Sequence, residues 1–286
     1  MKGIILAGGS GSRLYPSTKI ISKQLLPIFD KPMIYYSLST LMLADIKEIL
    51  IITRPSDLNQ YQDLLEDGSH LGIKLSYAIQ EKPEGLAQAF LIGEKFLKNN
   101  NCALILGDNF FYGQNLTNKL ENCAKLSKGA KVLLHSVSNP EKYGVAKINS
   151  KNKILKIVEK PKKYISSYAV TGLYFFDNKV VNFSKKLKPS KRGEIEIVDL
   201  LNKYKKNKQL YADFIGRGGA WLDTGSMDDF YKTTSFVAAI ENRQGLKIAC
   251  LEEIALLNKW ISKKQIEESI IFYGKCDYSN YLKKLI

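Results

Sequence analysis

The chain is poor in the residues that build metal clusters and disulfide frameworks. It has 286 residues but only four cysteines, Cys102, Cys123, Cys250 and Cys276, and only two histidines. The cysteines show no CxxC spacing, and the histidines are far apart in sequence. We therefore expect no thiol or imidazole metal site, and a reduced, cytoplasmic setting fits this composition.

Long apolar runs are also missing. No stretch approaches the roughly 18 residues of a membrane span, and only four apolar residues, 4–7, precede Gly8, too few for the core of a signal peptide. We thus expect neither a membrane association nor a secretion signal. Internal repeats and low-complexity tracts are absent as well. The hydrophobic content of 45% instead predicts a folded soluble protein with a sizeable core.

Negative charge is scarce relative to positive charge. The chain has 43 Lys and Arg against 28 Asp and Glu, a net charge of +15. Such a balance is compatible with nucleic acid, an acidic membrane or anionic substrates. Because the lysines are spread along the chain, we interpret them mainly as a solvated surface that helps attract phosphorylated substrates, and we expect no nucleic-acid partner.

Short apolar segments alternate with helix-like ones over the first two-thirds of the chain. This alternation predicts an α/β fold with a Rossmann-like, mostly parallel central sheet covered by helices on both faces. From about residue 140 the pattern becomes richer in strands, as in an added sugar-binding part, and helices dominate after Asp223. Residues 1–240 are assigned to the α/β core and 241–286 to a C-terminal helical region. The predicted strands are 2–7, 48–53, 73–79, 102–106, 130–137, 143–148, 154–158, 168–176 and 209–215. The predicted helices are 33–44, 57–66, 85–98, 115–127, 177–187, 195–206, 226–242, 250–259 and 262–270.

The first strand ends in a glycine-rich loop. Residues 3–13 read G-I-I-L-A-G-G-S-G-S-R. Glycines after a strand let backbone N–H groups approach a phosphate, and the Arg13 guanidinium adds planar donors. The loop is not a P-loop, because no lysine follows Gly11, and the third glycine of a dinucleotide fingerprint is replaced by Leu14. Taken alone, a tight turn without a ligand explains the glycines about as well.

Several ordered motifs together resemble the sugar-phosphate nucleotidylyltransferases, and among them the glucose-1-phosphate thymidylyltransferase family. The resemblance covers nearly the whole chain. Its motifs are the opening loop, S-K-Q-L-L-P (22–27), D-K-P-M-I-Y-Y (30–36), G-L-A-Q-A-F (85–90), L-G-D-N-F-F-Y-G (106–113), Y-G-V (143–145), E-K-P (159–161), Y-A-V-T-G-L-Y-F (168–175), R-G-E-I-E-I (192–197), G-R-G-G-A-W-L-D-T-G (216–225) and R-Q-G-L-K-I-A-C (243–250).

This resemblance implies a reaction. A phosphate oxygen of glucose 1-phosphate attacks the α-phosphorus of dTTP, which gives dTDP-glucose and pyrophosphate, the first step toward dTDP-rhamnose and related deoxysugars. Such a reaction needs alignment of two polyanions and neutralisation of their charge, with Mg²⁺ as cofactor.

The resemblance also assigns roles to residues at matching positions. The catalytic set is Arg13, Lys23, Asp108 and Asp223, of which Asp108 and Asp223 bind the metal. The nucleotide-binding set is Gly8, Gly9, Gly11, Ser12, Arg13, Lys23, Gln24, Gln80, Gly85 and Asp108, where Gln80 and Gly85 read the thymine base. The sugar-phosphate set is Asn109, Gly144, Glu159, Lys160 and Val170. Without the motifs, a solvated lysine at 23, a turn-capping Asp108 and a polar strand end at Gln80 are the simpler interpretations.

The resemblance further implies a homotetramer inhibited by dTDP-rhamnose at an interface site. Departures from the family pattern, such as Ser12 for Thr and Ser226-Met227 after the W-L-D-T-G motif, remove no proposed catalytic group. Three alternatives stay open: another nucleotide such as UTP, a nucleic-acid-binding protein suggested by charge alone, and an inactive relative. Retention of the catalytic set argues against the last.

Overall fold

The structure is a computed structural model that describes residues 1–286. It contains thirteen strands: β1 (Lys2–Ala7), β2 (Pro27–Ile28), β3 (Lys31–Pro32), β4 (Glu48–Thr53), β5 (Lys74–Ile79), β6 (Cys102–Leu106), β7 (Asn109–Tyr112), β8 (Ala130–Ser136), β9 (Gly144–Ile148), β10 (Ile154–Glu159), β11 (Tyr168–Phe176), β12 (Leu210–Phe214) and β13 (Ala220–Asp223). Nine of them form one sheet, and β2–β3 and β7–β13 form separate two-stranded ribbons.

The large sheet is mostly parallel. Strands β5, β4, β1 and β6 are neighbours in that order and all run in the same direction, so that Ile5 pairs with Ile51 on one side and Ile105 on the other. Beyond β6 lies β11, which is antiparallel to β6, β8 and β9. Strand β12 is parallel to β8, and β10 is antiparallel to β9. Only β10 and β11 therefore oppose the common direction, which confirms the predicted fold class.

Helices cover both faces of this sheet. They are α1 (Ile34–Leu43), α2 (Leu58–Leu65), α3 (Gln88–Ile92), α4 (Glu94–Leu97), α5 (Leu116–Ala124), α6 (Val180–Ser184), α7 (Ile197–Lys206), α8 (Met227–Gln244), α9 (Leu251–Leu257), α10 (Lys263–Tyr273) and α11 (Asp277–Leu282). None of these helices combines the length and the apolar character required to cross a bilayer.

Alternate strand residues supply two hydrophobic cores. The face that carries Ile5 packs against α1, α2, α5 and α9 to α11 in a cluster of 34 buried residues. The opposite face, which carries Ile4, packs against α3, α4, α6 and α7 in a cluster of 25. Burial on both faces explains why these strands read as continuous apolar runs. Helix α8 instead packs through Val237 against Ile28 and Phe110 in a small third cluster.

Several features differ from the sequence predictions. The helix predicted over 85–98 starts only at Gln88 and is divided at Gly93, whose missing side chain lets the backbone lie against Ile4 and Leu50. The helix predicted over 177–187 is limited to Val180–Ser184. The β2–β3 and β7–β13 ribbons and helix α11 were not predicted at all. Helix α8 spans residue 240, and α9 to α11 share the first core with β1; the division at 240 stays a prediction.

Candidate functional site

A cleft of about 390 Å³ opens beyond the carboxyl ends of β1 and β6, where α/β sheets bind their ligands. Most of the predicted site residues line it: Gly9, Gly11, Ser12, Arg13, Lys23, Gln24, Asp108, Asn109, Gly144, Glu159, Val170 and Asp223. Gly8, Gln80, Gly85 and Lys160 do not line this cleft. The fold thus brings together seven separated segments of the sequence: 9–13, 23–24, 108–109, 144, 159, 170 and 223.

The glycine-rich loop forms one wall of the cleft. Gly11 has a φ of 63°, a left-handed conformation that disfavours side chains, and its carbonyl oxygen accepts a hydrogen bond of 2.7 Å from Thr18 Oγ1. A 3₁₀ helix over Ser12–Leu14 follows, in which Leu14 is buried and Arg13 is exposed. The turn therefore anchors its apolar residue in the core and presents the guanidinium at the cleft.

Lys23 and Asp108 form an ion pair at the floor of the cleft. Lys23 is only 6% exposed, and its Nζ donates to Asp108 Oδ2 at 2.6 Å. Burial by itself raises the pKa of Asp108, but the charge of Lys23 and hydrogen bonds from Lys23 and Asn109 outweigh burial, so the pKa lies below its usual value. Asp108 is consequently ionised at neutral pH and ready to hold a cation.

Asp223 reaches this ion pair through the β7–β13 ribbon. The antiparallel register places Asp223 opposite Asn109, and Thr224 Oγ1 donates to the carbonyl oxygen of Asp108 at 3.1 Å. Burial, followed by the negative charge of Asp108, raises the pKa of Asp223. A neighbouring cation would relieve that unfavourable ionisation.

The two carboxylates suit a hard divalent cation. No group of three or more His, Cys, Asp or Glu side chains in the chain could hold a metal ion. Magnesium, however, is commonly bound by one or two carboxylates together with substrate phosphates and water. Asp108 and Asp223 fit that pattern, whereas the donor set does not fit zinc.

Asn109 holds Asp108 in place. Its Oδ1 accepts hydrogen bonds from Trp221 Nε1 at 2.6 Å and from the backbone N–H of Gly172 at 3.0 Å. Because both partners are unambiguous donors, the Asn109 Nδ2 must face Asp108, to whose Oδ1 it donates at 3.0 Å. Asn109 thus acts on the carboxylate, in addition to the sugar-phosphate contact that the sequence predicts.

Trp221 is a site residue to which the sequence analysis assigned no role. It lines the cleft, orients Asn109, and packs edge-on against Tyr143 with ring centroids 5.0 Å apart. One sequence feature indicates that Trp221 belongs to the site. It lies two residues before Asp223, so that in an extended segment both side chains are on the same face.

Of the predicted sugar-phosphate residues, Gly144, Glu159 and Val170 line the cleft together with Asn109. Glu159 pairs with Gly144 across β10 and β9, and a Cβ on Gly144 would stand 3.1 Å from Glu159 Oε2. Burial raises the pKa of Glu159, and the positive charge of Lys160 offsets part of this increase. Lys160 itself lies in a neighbouring depression, with Arg192. Lys142 lines the cleft and was missed, because E-K-Y-G carries no signal beyond that of a loop.

Gln80 and Gly85 lie beside the cleft. Gln80, which directly follows β5, is 3% exposed and packs against Gly8, where a Cβ would stand 2.2 Å from the Gln80 Oε1. Gly8 must therefore be glycine for this approach. Gly85 lies against the backbone of Ile195, whose N–H donates to the carbonyl oxygen of Glu84 at 2.7 Å.

This arrangement provides what transfer of a nucleotidyl group requires. It combines a loop rich in backbone N–H groups, the cations Arg13 and Lys23, and a pair of carboxylates suited to a metal. Backbone donors and charged side chains of this kind act by positioning and charge stabilisation.

Comparison with known proteins agrees with this geometry. The sequence model of the nucleotidyl transferase family matches residues 2–240. The chain is 53% identical over 286 residues to a glucose-1-phosphate thymidylyltransferase of Neisseria meningitidis, covering 100% of this chain and 99% of that protein. It is 47% identical to one of Mycobacterium tuberculosis, with 100% and 99% covered.

Solved structures show the same relationship. A putative glucose-1-phosphate thymidylyltransferase from Bacillus anthracis, in complex with a sucrose, superposes with a TM-score of 0.77 at 44% identity, over 82% of this chain and 94% of that one. A UDP-glucose pyrophosphorylase complexed with UDP-glucose superposes with a TM-score of 0.71 at 28% identity, over 85% and 99%. The chain is a nucleotidyltransferase that belongs to the nucleotidyl transferase family and, within it, to the glucose-1-phosphate thymidylyltransferases.

Proposed function

We propose that this enzyme transfers a thymidylyl group from dTTP to glucose 1-phosphate in a magnesium-dependent reaction that yields dTDP-glucose and pyrophosphate. The observation that carries the proposal is that Arg13, Lys23, Asp108 and Asp223 converge in one cleft. The chain is also related over its full length to glucose-1-phosphate thymidylyltransferases.

The geometry supports direct, in-line displacement. The glycine-rich loop and Lys23 would hold the nucleotide phosphates, and Glu159, which also lines the cleft, would accept hydrogen bonds from sugar hydroxyls. A phosphate oxygen of the sugar phosphate then attacks the α-phosphorus. The bond to the β-phosphate oxygen breaks, and the exposed Arg13 stabilises the departing pyrophosphate.

The carboxylate pair supports the magnesium requirement. Mg²⁺ held by Asp108 and Asp223 would shield the phosphates and polarise the attacked phosphorus. The ammonium of Lys23, 2.6 Å from Asp108 Oδ2, would add a second positive charge beside the bound phosphates.

The test is pyrophosphate release. Purified enzyme with glucose 1-phosphate and magnesium is offered dTTP, UTP, CTP, ATP and GTP separately. We expect clear preference for dTTP and loss of release when the metal is chelated. If folded protein releases no pyrophosphate with any of the five nucleotides, and also none with other sugar 1-phosphates, the proposal is wrong and an inactive relative is favoured.

UTP is a second candidate donor, favoured by the superposition on UDP-glucose pyrophosphorylase. Thymine and uracil differ by one methyl group, which is worth about 1–3 kcal/mol in a pocket, or roughly 10–200-fold. We therefore expect measurable but slower release with UTP, and equal rates or none would count against this expectation.

The remaining family expectations are proposals of the same kind. We propose a cytoplasmic homotetramer that supplies dTDP-rhamnose synthesis and is inhibited by that end product. Light scattering and inhibition assays with dTDP-rhamnose test the two claims. Binding to DNA that depends steeply on salt would instead support the charge-based alternative.

A further inference from the structure

A chain of hydrogen-bonded side chains runs from Gln80 to the protein surface. Gln80 Nε2 donates to Gln88 Oε1 at 2.6 Å, and Gln88 Nε2 donates to Glu84 Oε2 at 2.9 Å. The backbone N–H of Glu84 also donates to Gln88 Oε1, at 3.2 Å. Gln88 is the first residue of α3, and Glu84 is exposed in the loop before it.

The partners of Gln88 leave only one orientation for its amide. A backbone N–H can only donate, and a carboxylate can only accept, so the Gln88 oxygen must face the Glu84 N–H and its nitrogen must face the Glu84 carboxylate. If the amide were rotated by 180°, its nitrogen would face the Glu84 N–H, donor against donor, and its oxygen would face the Glu84 carboxylate, acceptor against acceptor. The orientation of Gln88 therefore follows from chemistry, independently of how oxygen and nitrogen are assigned.

This orientation passes to Gln80. Because Gln88 presents an oxygen, Gln80 must present its nitrogen toward Gln88 and its own oxygen away from it. That oxygen lies beside Gly8, in the segment that begins the glycine-rich loop. Gln80 is 3% exposed, so an amide turned the wrong way has little water with which to compensate.

We infer that Gln88, anchored by Glu84, is a positioning residue that makes the enzyme select bases with an N–H at ring position 3, by fixing the Gln80 carbonyl oxygen as an acceptor. The inference rests on the proposed function, in which Gln80 reads the base. Thymine and uracil carry that N–H, whereas cytosine has a lone pair there. The device thus discriminates against cytosine nucleotides and leaves the thymine–uracil choice to other contacts.

The test compares Gln88→Met with a charge-matched control. Gln88→Met keeps side-chain length but removes the acceptor, so Gln80 can turn. The double variant Glu84→Gln/Gln88→Glu exchanges the two groups, keeps an acceptor toward Gln80 and leaves the net charge unchanged. The ratio of kcat/KM for dTTP to that for dCTP should fall by about tenfold or more in Gln88→Met and stay near the wild-type ratio in the double variant.

Calorimetric binding of dTDP and dCDP to the same proteins separates this inference from the proposed function. Loss of the dTDP preference in Gln88→Met supports the inference even if no variant turns over. If folded Gln88→Met still prefers dTDP over dCDP, the inference is wrong, whereas dTTP turnover by the wild-type enzyme would still support the proposed function. If Gln88→Met does not fold, Glu84→Ala removes the outer anchor, and a smaller fall in the ratio is expected; an unchanged ratio there overturns the inference.

Discussion

Replacing Lys23 with methionine removes the ammonium from the floor of the cleft and keeps most of the side-chain volume. The side chain of Lys23 is 7% exposed and that of Asp108 is 26% exposed, with 2.6 Å between Nζ and Oδ2. Removing one partner of a fully buried pair costs about 3–5 kcal/mol. Because Asp108 retains contact with solvent, we expect a loss of about 1–3 kcal/mol in the free energy of unfolding at neutral pH.

The effect should depend on pH in a defined direction. In the wild type the pKa of Asp108 is lowered, so its ionised form stabilises the fold above the unfolded-state pKa of about 3.9, and this contribution is lost as the pH falls through the folded-state pKa. In Lys23→Met, burial becomes the main influence and raises that pKa, so the ionised carboxylate is destabilising. The difference between the two proteins should be largest at neutral pH and should shrink as the pH falls from the raised pKa of Asp108 in the variant toward its lowered pKa in the wild type.

Urea unfolding over a pH series, in a double-mutant cycle with Asp108→Asn, measures this interaction. We expect a coupling free energy of about 1–2 kcal/mol at neutral pH that decreases on acidification. A coupling below about 0.3 kcal/mol, or a difference that does not change with pH, would refute the reasoning. Pyrophosphate release by Lys23→Met should also fall by about 10²–10³.

Three further substitutions test other parts of the site. Asp223→Asn should match or exceed the wild-type melting temperature, because the raised pKa of Asp223 shows that its ionisation is costly in the folded protein. Turnover of this variant should fall by about 10² or more. A lower melting temperature with normal turnover would contradict this prediction. Trp221→Phe removes the indole N–H bound to Asn109, and kcat should fall about tenfold while KM changes less; an unaltered kcat would remove the positioning role. Arg13→Ala alters an exposed residue, so stability should change by no more than about 0.5 kcal/mol while turnover falls about 10²–10³, and normal turnover would exclude its role.

The strands of the central sheet were predictable because each carries a short apolar run bounded by turn residues. Runs such as 48–53 and 102–106 are buried on both faces, so their composition alone identifies them, and the structure places them within a residue of the prediction. The reversed direction of β10 and β11 was not visible in the sequence, since the same apolar composition serves either direction.

The candidate site was predictable through its motifs but not through its contacts. Asp108 and Asp223 are distant in sequence, and what joins them is the β7–β13 ribbon, a pairing between strands of four residues each. Such short strands carry little periodicity of their own. The roles of Trp221 and Gln88 depend on hydrogen-bond partners that only tertiary structure brings near.

The most direct test of the account follows the phosphate oxygens. The enzyme is incubated with magnesium, dTTP and glucose 1-phosphate carrying ¹⁸O in its phosphate group, and both products are analysed by mass spectrometry. Attack on the α-phosphorus predicts that dTDP-glucose retains all of the label and that pyrophosphate contains none. Labelled pyrophosphate, or the absence of dTDP-glucose, would contradict the account.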